Sequence, residues 1–519
     1  MTTPSRPPSK SGELLFAACL LALLVWILRL PTANLGLVYY DDGETLYHTL
    51  SFISGRVPYV QDSSHHFLGY VLPFVIAAKV GGFSLDLIRE VGFVLQLATA
   101  LGVFCSMRLL ARFSTSLLAA AICLSVRQPW VWGFYIQYEI NFLSAWILFF
   151  SLRYCLFPER WSVLAAALLA GLAFTFDQRA GFLILLPLIS LYLRRGSDAN
   201  LLRTGIAALL SFAIPACAAL AYLASLGALP DFWKQTFDFP LRYRSASAGL
   251  SEVLFGWIYI YAKLLRDASV ACVTALLGFL AMALHRKLWC PDNDGKQRAY
   301  RLMLWSAIPF AAMPLFGQRD LPYYVVTWYP LIGMFSALSP RLFLSLPPPL
   351  LRFVKAAPLF AVLLPILLVA RECVVGEFSN YPGDGRAETV AYLRKHMQAQ
   401  DTLYVWGYRL DVYADLKKLS PYPFANRIMI HPDQSIMASR EQRASHVYPE
   451  YEKRFLALLK ENPPTYLVLF DRNALASQPS RANDAVQELL RNGYDEVHSI
   501  QGIDFLGVPT QFTVYRQRA

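Results

Sequence analysis

Charge is scarce in this chain of 519 residues: Asp, Glu, Lys and Arg make up 16% of it, against 56% apolar residues. That balance excludes an ordinary soluble globule. No Asn-x-Ser/Thr triplet occurs anywhere, so the chain offers no N-glycan acceptor, which suits a bacterial inner membrane better than a eukaryotic secretory one. None of the eight cysteines lies beyond Cys373, and no Cys-x-x-Cys pair is present. A disulfide framework in the polar C-terminal region and a thiolate zinc site are thereby excluded. There is no P-loop, no glycine-rich nucleotide turn and no Ser/His/Asp arrangement, which argues against a cytoplasmic enzyme acting on nucleotide sugars. Internal repeats and low-complexity tracts are also missing, apart from the Pro347–Pro349 turn.

What the chain has in quantity is apolar length. Strongly apolar segments run roughly over 14–30, 66–80, 86–108, 113–127, 140–156, 161–176, 181–194, 202–226, 251–284, 301–316, 324–340 and 356–371. Repeated runs of this length make a polytopic membrane protein, with the lipid bilayer as its first partner. The formal net charge of +11 does not signal nucleic acid, because the basic residues cluster in short connections between apolar runs. Arg108 with Arg112, Arg153 with Arg160, Arg194 with Arg195 and Arg203, and the later groups 286–301 and 341–355 all read as cytoplasmic loops. Arg6 and Lys10 precede the first run and Arg29 follows it, which fits an uncleaved anchor with a cytoplasmic N-terminus.

Alternation of sides works if 66–80 and 251–265 are interfacial helices rather than spans. About eleven to thirteen spans result, and the C-terminus falls outside. From residue 376 onward the composition turns ordinary. Candidate helices at 385–399, 449–461 and 481–492 alternate there with strand-like segments at 402–407, 465–470 and 511–516, the pattern of a small α/β unit with a buried sheet. The expected fold is therefore mainly α: a polytopic transmembrane helical bundle over residues 1–375, its first outer loop at about 31–65, followed by an extracytoplasmic α/β domain over 376–519.

The motifs sort onto one side of that topology. Directly after the first apolar run come Asp41, Asp42 and Glu44, then Gly55-Arg56-Val57-Pro58-Tyr59, then His65-His66. Ionisable groups are costly near hydrocarbon, so an acidic cluster at this boundary marks a functional site. Further on lie Phe176-Asp177-Gln178-Arg179-Ala180-Gly181, and Gln318-Arg319-Asp320-Leu321-Pro322-Tyr323-Tyr324 leading to Trp328-Tyr329-Pro330. The positive-inside reasoning used none of these motifs, yet it places all of them outside.

In order and placement these motifs resemble the integral-membrane glycosyltransferases of the GT-C superfamily, nearest to its aminoarabinose transferase and protein O-mannosyltransferase group. The resemblance implies transfer of a sugar from a polyprenyl-phosphate donor to a lipid, polysaccharide or protein acceptor on the extracytoplasmic face. It also implies that Asp41, matching the first acid of the family motif, is the catalytic base, with Asp42 and Glu44 as its companions. Chemically, such a transfer needs a carboxylate to take the acceptor proton and donors to hold the departing phosphate.

Arg319 is the first candidate for the phosphate and Arg179 the second, because a guanidinium fork matches phosphate oxygens. Tyr324 matches the tyrosine of the family's Arg-x-x-x-His-Tyr pattern, while Tyr323 stands where its histidine would be, and Arg179 replaces a lysine common in relatives. His65 and His66 are further donor contacts, and Glu139 in the second outer loop is another candidate acid. Arg242 and Arg244, in an aromatic-rich loop, are candidates to grip a polyprenyl phosphate or, as an alternative, to anchor at the membrane interface. No His/Asp/Glu set has metal spacing in the sequence; the expectation is no cofactor, with a divalent cation bridging Asp41 or Asp42 to phosphate as the alternative. The competing function is a lipid or sugar transporter or flippase, against which the missing repeats and the one-sided polar residues weigh.

Overall fold

A computed structural model describes residues 11–30, 40–126, 136–195, 200–245, 255, 258–259, 261–262, 264–266, 268–284, 294–317, 326–340, 348–375, 383–431, 447–472, 480–504 and 508–518. Its N-terminal three-quarters is helical: α1 (Ser11–Arg29), α2 (Tyr40–Ile53), α3 (Leu72–Gly81), α4 (Leu87–Arg108), α5 (Phe113–Ser125), α6 (Ile136–Leu156), α7 (Arg160–Phe174), α8 (Leu185–Leu193) and α9 (Leu201–Ser225). Further helices follow at Leu229–Trp233, Phe239–Ser245, Ser269–Leu284, Asp294–Gly317, Tyr329–Leu338 and Pro348–Val375. Each apolar run outlined above has become a helix where the structure describes it. Most of the 251–265 segment, expected to be interfacial, lies outside the described residues.

Among the described residues, five helices are long and apolar enough to cross a membrane: Ser11–Arg29, Leu87–Arg108, Glu139–Leu156, Leu201–Ser225 and Lys355–Val375. Shorter apolar helices accompany them, including Phe113–Ser125, Arg160–Phe174, Ser269–Leu284 and Val326–Leu338. α9 shows what surrounds the bundle. It buries only Thr204, Ala208 and Leu223 and turns Leu202, Ile206, Leu209, Leu210 and Ile214 outward, a face that suits lipid and not water. The chain is an integral membrane protein.

The middle of the bundle is closely packed. Every residue of Tyr329–Leu338 is buried, and this helix packs on α5 and on Ser269–Leu284 at glycines. A Cβ at Gly333 would meet the Ala119 carbonyl, and one at Gly278 the Phe335 carbonyl. Small residues that let backbones approach are the usual means of helix association in lipid, where apolar burial alone gives no gain.

The polar C-terminal region holds a four-stranded sheet in the order β1-β2-β4-β3, with β1 (Leu403–Trp406), β2 (Tyr466–Arg472), β3 (Tyr494–Ile503) and β4 (Pro509–Gln517). β1 pairs parallel with β2, and the other two pairings are antiparallel. Helices Arg386–His396, Leu410–Leu416, Pro449–Glu461 and Arg481–Gly493 cover it, with apolar clusters on both faces. Two elements were not evident in the sequence. β3 is an edge strand, mostly exposed along its length, so it carries none of the continuous apolar character of a buried strand. The helix Leu410–Leu416 is one short stretch of seven residues, below the length at which helical periodicity shows.

Candidate active site

α2 is the element that brings the acids inward. It starts at Tyr40 with Asp41 and Asp42 in its first turn, where negative side chains are favoured by the helix dipole. Gly43 then lies against the helix Leu410–Leu416: a Cβ there would fall 2.4 Å from Asp411 Cβ and 2.6 Å from the Asp411 backbone nitrogen. One turn on, Tyr47 packs on Tyr413, ring centroids 5.3 Å apart, and the Tyr47 hydroxyl accepts from Ser420 N. Arg56 donates to the Ser420 carbonyl at 2.7 Å, and Ser63 N to the Pro423 carbonyl at 2.9 Å. The first loop is thus held against the C-terminal region at points from Gly43 to Ser63.

That docking completes the acid cluster with side chains from far along the chain. Asp42 and Glu44 are buried, 2% and 3% exposed, while Asp41 is only half-buried at the lip. Tyr408, just past the end of β1, donates its hydroxyl to Glu44 Oε2 and reaches Asp41 Oδ1 at 3.3 Å. Asn426 donates to Glu44 Oε1 at 3.3 Å. His48, on the same helix face as Glu44, sets Nε2 3.4 Å from Glu44 Oε1 and Nδ1 2.7 Å from Asp62 Oδ2.

The two outer acids are pushed apart in acidity. Burial first, and then the Glu44 charge, raise Asp41 to about 7, opposed by the Tyr408 hydrogen bond. Burial pushes Glu44 up as well, but the cationic His48 beside it outweighs that and holds Glu44 below the usual carboxylate range. For His48, burial disfavours the cation, yet Asp62 and Glu44 lift it to about 10. At neutral pH the cluster therefore holds ionised Glu44, cationic His48 and an Asp41 poised to exchange a proton, the separation of roles that acid–base chemistry needs.

His65 and His66 stand beside the acids. Their rings lie 4.0 Å apart, His65 Nδ1 is 4.0 Å from Glu44 Oε1, and Phe239 closes on His65 at 6.0 Å. Burial keeps both rings neutral, with His66 down to about 3. Asp177 acts electrostatically on both rings and Arg179 on His65. They reach the pair because Gly69 N donates to the Thr175 carbonyl at 2.8 Å, at a spot where a Cβ on Gly69 would fall 2.4 Å from that oxygen. Asp177 caps the turn Gln178–Ile184 and holds Arg179 through a bidentate pair. Although burial raises Asp177, Arg179 draws it below its ordinary value.

The structure thus brings Asp41, Asp42, Glu44, His65, His66 and Arg179 into one region. Glu139 sits instead in the first turn of α6, fully buried and without a hydrogen-bond partner among the described residues, rather than in a loop. The helical pattern runs back past it to Ile136. Arg242 pairs with Asp238 at 2.9 Å and lies over the Tyr448 ring, at the seam between the Phe239–Ser245 helix and the C-terminal region. Arg319 and Tyr324 lie outside the described residues, as does the side chain of Arg244.

Sequence reasoning did not single out His48, Asp62, Tyr408 or Asn426. His48 had a signal, the i, i+4 spacing from Glu44 on one helix. Tyr408 had another, its position at the C-terminal end of a strand in a parallel pair, where sites are commonly built.

Glu44, His65 and His66 each bring a ligand-type atom to within 4.8 Å of the others. Glu44 meets protein groups on both oxygens already, Tyr408 on one and Asn426 with His48 on the other. The two imidazoles face each other as close neighbours. Both Glu44 oxygens are thus engaged by protein groups, while His65 Nδ1, 4.0 Å from Glu44 Oε1, takes no hydrogen-bond partner among the described residues.

No protein-family model and no curated protein matches the sequence. Solved structures do match. ArnT from Cupriavidus metallidurans in its apo state has a TM-score of 0.59 at 14% identity, covering 98% of this chain and 98% of that one. The same protein bound to undecaprenyl phosphate has a TM-score of 0.58 at 15% identity, covering 97% of this chain and 98% of that one. AglB, an archaeal oligosaccharyltransferase from Archaeoglobus fulgidus in complex with an inhibitory peptide and a dolichol-phosphate, has a TM-score of 0.51 at 12% identity, with 96% and 74% covered. Near-complete coverage of this chain shows that it has the same fold as these proteins.

Proposed function

We propose that the protein is a membrane glycosyltransferase of the GT-C type, which moves a sugar from a polyprenyl-phosphate donor to a hydroxyl of a lipid, polysaccharide or protein acceptor. The observation that carries this reading is the split within the first-loop acids. A half-buried Asp41 titrating at about 7 stands beside a Glu44 fixed as an anion by protein donors. A solvated helix end has no need of a hydrogen-bond partner from a region 367 residues away, whereas a general base does. Two of the solved neighbours carry a polyprenyl phosphate in this same fold, which supports the class of donor.

In the reaction, Asp41 takes the proton of the acceptor hydroxyl as its oxygen attacks the anomeric carbon. The bond to phosphate breaks with its electron pair going to the phosphate. Arg179, and Arg319 by the motif it sits in, stabilise that departing charge, while the neutral His65 and His66 orient donor oxygens. One base and one displacement give inversion at the anomeric carbon. The site, the C-terminal domain over 376–519 and the acceptor all belong on the extracytoplasmic face in this reading, which fits the charge distribution. The plasma membrane of a bacterium is the setting that the missing glycan acceptors suit.

The test is transfer of radiolabel from a panel of undecaprenyl-phosphate-linked glucose, mannose, galactose and arabinose by the purified protein in detergent. A transferase makes glycosylated product without a sealed compartment, and NMR of that product shows inverted configuration. A transporter yields nothing in detergent and moves label only in sealed vesicles, and that result would remove the proposal. The pH profile is a second expectation. Asp41 works as a base only when deprotonated, so kcat/KM should climb as pH rises through about 7 and level off above it. A profile already flat from about pH 5 upward, near the ordinary carboxylate range, would mean that Asp41 is not the titrating base.

A further inference from the structure

The segment that closes over the histidine pair leaves the α-helical register. Between the helices Leu229–Trp233 and Phe239–Ser245 the chain makes a π-helical turn, Lys234–Asp238, in which Phe239 N reaches back to the Lys234 carbonyl rather than to that of Gln235. Pro240 gives the reason. It has no N–H to offer the Thr236 carbonyl, its partner in a regular α-helix. That oxygen accepts instead from Gln178 Nε2 at 3.3 Å, next to Arg179. The wider turn sets Gln235 and Thr236 together on the buried face, each 1% exposed. Turns of this kind are rare and frequently mark functional sites.

Gln235 uses both ends of its amide. Oε1 accepts from Ser64 N at 3.0 Å, and Nε2 donates to the Tyr59 carbonyl at 2.7 Å and to the Tyr451 hydroxyl at 3.2 Å. Ser64 and Tyr59 in turn hold the backbone of His66. The Ser64 hydroxyl accepts from His66 N at 3.3 Å, and the Tyr59 hydroxyl donates to the His66 carbonyl at 2.8 Å. Tyr59 needs this support, because it stands at φ 66°, a left-handed conformation that is costly for a bulky side chain. Tyr451 is fixed by donating to Asp231 at 2.7 Å. One buried amide therefore ties the loop 59–66 to the segment 229–245 and to the helix Pro449–Glu461.

Resting on the glycosyltransferase reading, we propose that Gln235 is a positioning residue for the donor: through Ser64 and Tyr59 it sets where His65 and His66 stand to meet the donor's oxygens. Gln235 itself touches neither sugar nor phosphate. Only an amide suits both contacts, because Ser64 presents an N–H and Tyr59 a carbonyl. A carboxylate would turn an oxygen onto the Tyr59 carbonyl. An apolar side chain of the same length would leave the Ser64 N–H and the Tyr59 carbonyl unpaired where burial makes that costly. Either way the loop shifts and carries the imidazoles with it. Asp41 and Glu44 ride on α2 and are tied to Tyr408 and Asn426, so they stay in place. The defect should fall on the donor and spare the base.

The experiment compares full-length wild type with Gln235→Met, Gln235→Glu, His66→Ala and the double variant Gln235→Met/His66→Ala. All are assayed in detergent with whichever undecaprenyl-phosphate-linked sugar of the panel supports turnover. Gln235→Met, Gln235→Glu and His66→Ala should each raise the KM for donor about tenfold, the factor that about 1.4 kcal/mol represents. The KM for acceptor and the rise of kcat/KM through about pH 7 should stay as in wild type. The double variant should take donor no worse than His66→Ala does, because changes that act through one contact do not add. Independently of turnover, diethyl pyrocarbonate should modify the peptide carrying His65 and His66 faster in both Gln235 variants, as read by mass spectrometry. Additive losses in the double variant, an unchanged donor KM in both Gln235 variants, or failure of both to fold would make Gln235 an ordinary packing residue and overturn the inference. A wild type that transfers no sugar removes the glycosyltransferase reading, whereas unchanged modification rates remove the role of Gln235 alone.

Discussion

Asp41→Asn is expected to lower the rate of sugar transfer by about a hundredfold to ten-thousandfold, the usual worth of a general base, with expression, membrane insertion and thermal stability unchanged. The isostere keeps the shape of the side chain and retains an oxygen for the Tyr408 hydroxyl at the position where Asp41 Oδ1 now meets it at 3.3 Å. What it removes is the ability to accept a proton. Stability should hold because Asp41 is half-buried and its raised pKa shows that burial already disfavours its charge. A neutral amide relieves that penalty. Arg112→Ala, in the loop before α5 and on the opposite side in the charge-based topology, serves as the control and should matter little. Steady-state transfer assays on protein matched by size-exclusion profile decide the question. A well-folded Asp41→Asn protein within a few-fold of wild type would return the acids to the role of solvating a helix end.

The bundle was legible in the sequence because membrane spans are long, uniform signals. The α4, α6 and α9 segments were bounded to within a few residues by apolar length and flanking arginines alone. The acids stood out for a related reason: carboxylates are costly near hydrocarbon, and the order of the motifs around them weighed against their merely solvating a helix end. Their partners were hidden. Tyr408 and Asn426 lie 364 and 382 residues from Glu44, and nothing local in Trp406-Gly407-Tyr408 announces that it will fold back onto the first loop. Asp62 reads as one polar residue in a turn. Its pairing with His48 depends on the loop 54–62 folding back under α2, which is set by contacts to Ser420 and Pro423. Glu139 reads as a loop acid because the preceding stretch is rich in Trp, Gln and Gly, while the helix that contains it is set by packing against α4 and α7.

The dependence of the site on that long-range docking makes Gly43→Ala the most revealing change outside the chemistry. In an exposed helix, alanine in place of glycine stabilises by about 1 kcal/mol. Here the sign should reverse. The added methyl would fall 2.4 Å from Asp411 Cβ and within 2.7 Å of its backbone, closer than atoms can pack, and neither side can yield cheaply. On one side is the helix backbone of α2. On the other, Asp411 is buried and clamped by Arg409 at 2.9 and 2.6 Å, with Arg386 at 3.5 Å. Arg409 in turn pairs with Asp384 at 2.7 Å and lies over Phe470 and Phe512. Relief therefore has to come from moving α2 off the helix Leu410–Leu416, which draws Asp41 and Glu44 away from Tyr408. Overpacking of this kind costs about 1–3 kcal/mol, and the loss should appear as faster proteolytic release of the C-terminal region together with transfer reduced by about tenfold, the equivalent of about 1.4 kcal/mol. Serine at the same position should behave as alanine does, since the obstacle is the Cβ itself. A Gly43→Ala protein that melts higher and transfers sugar normally would show that α2 and the C-terminal sheet do not need each other, and that the acids act without Tyr408.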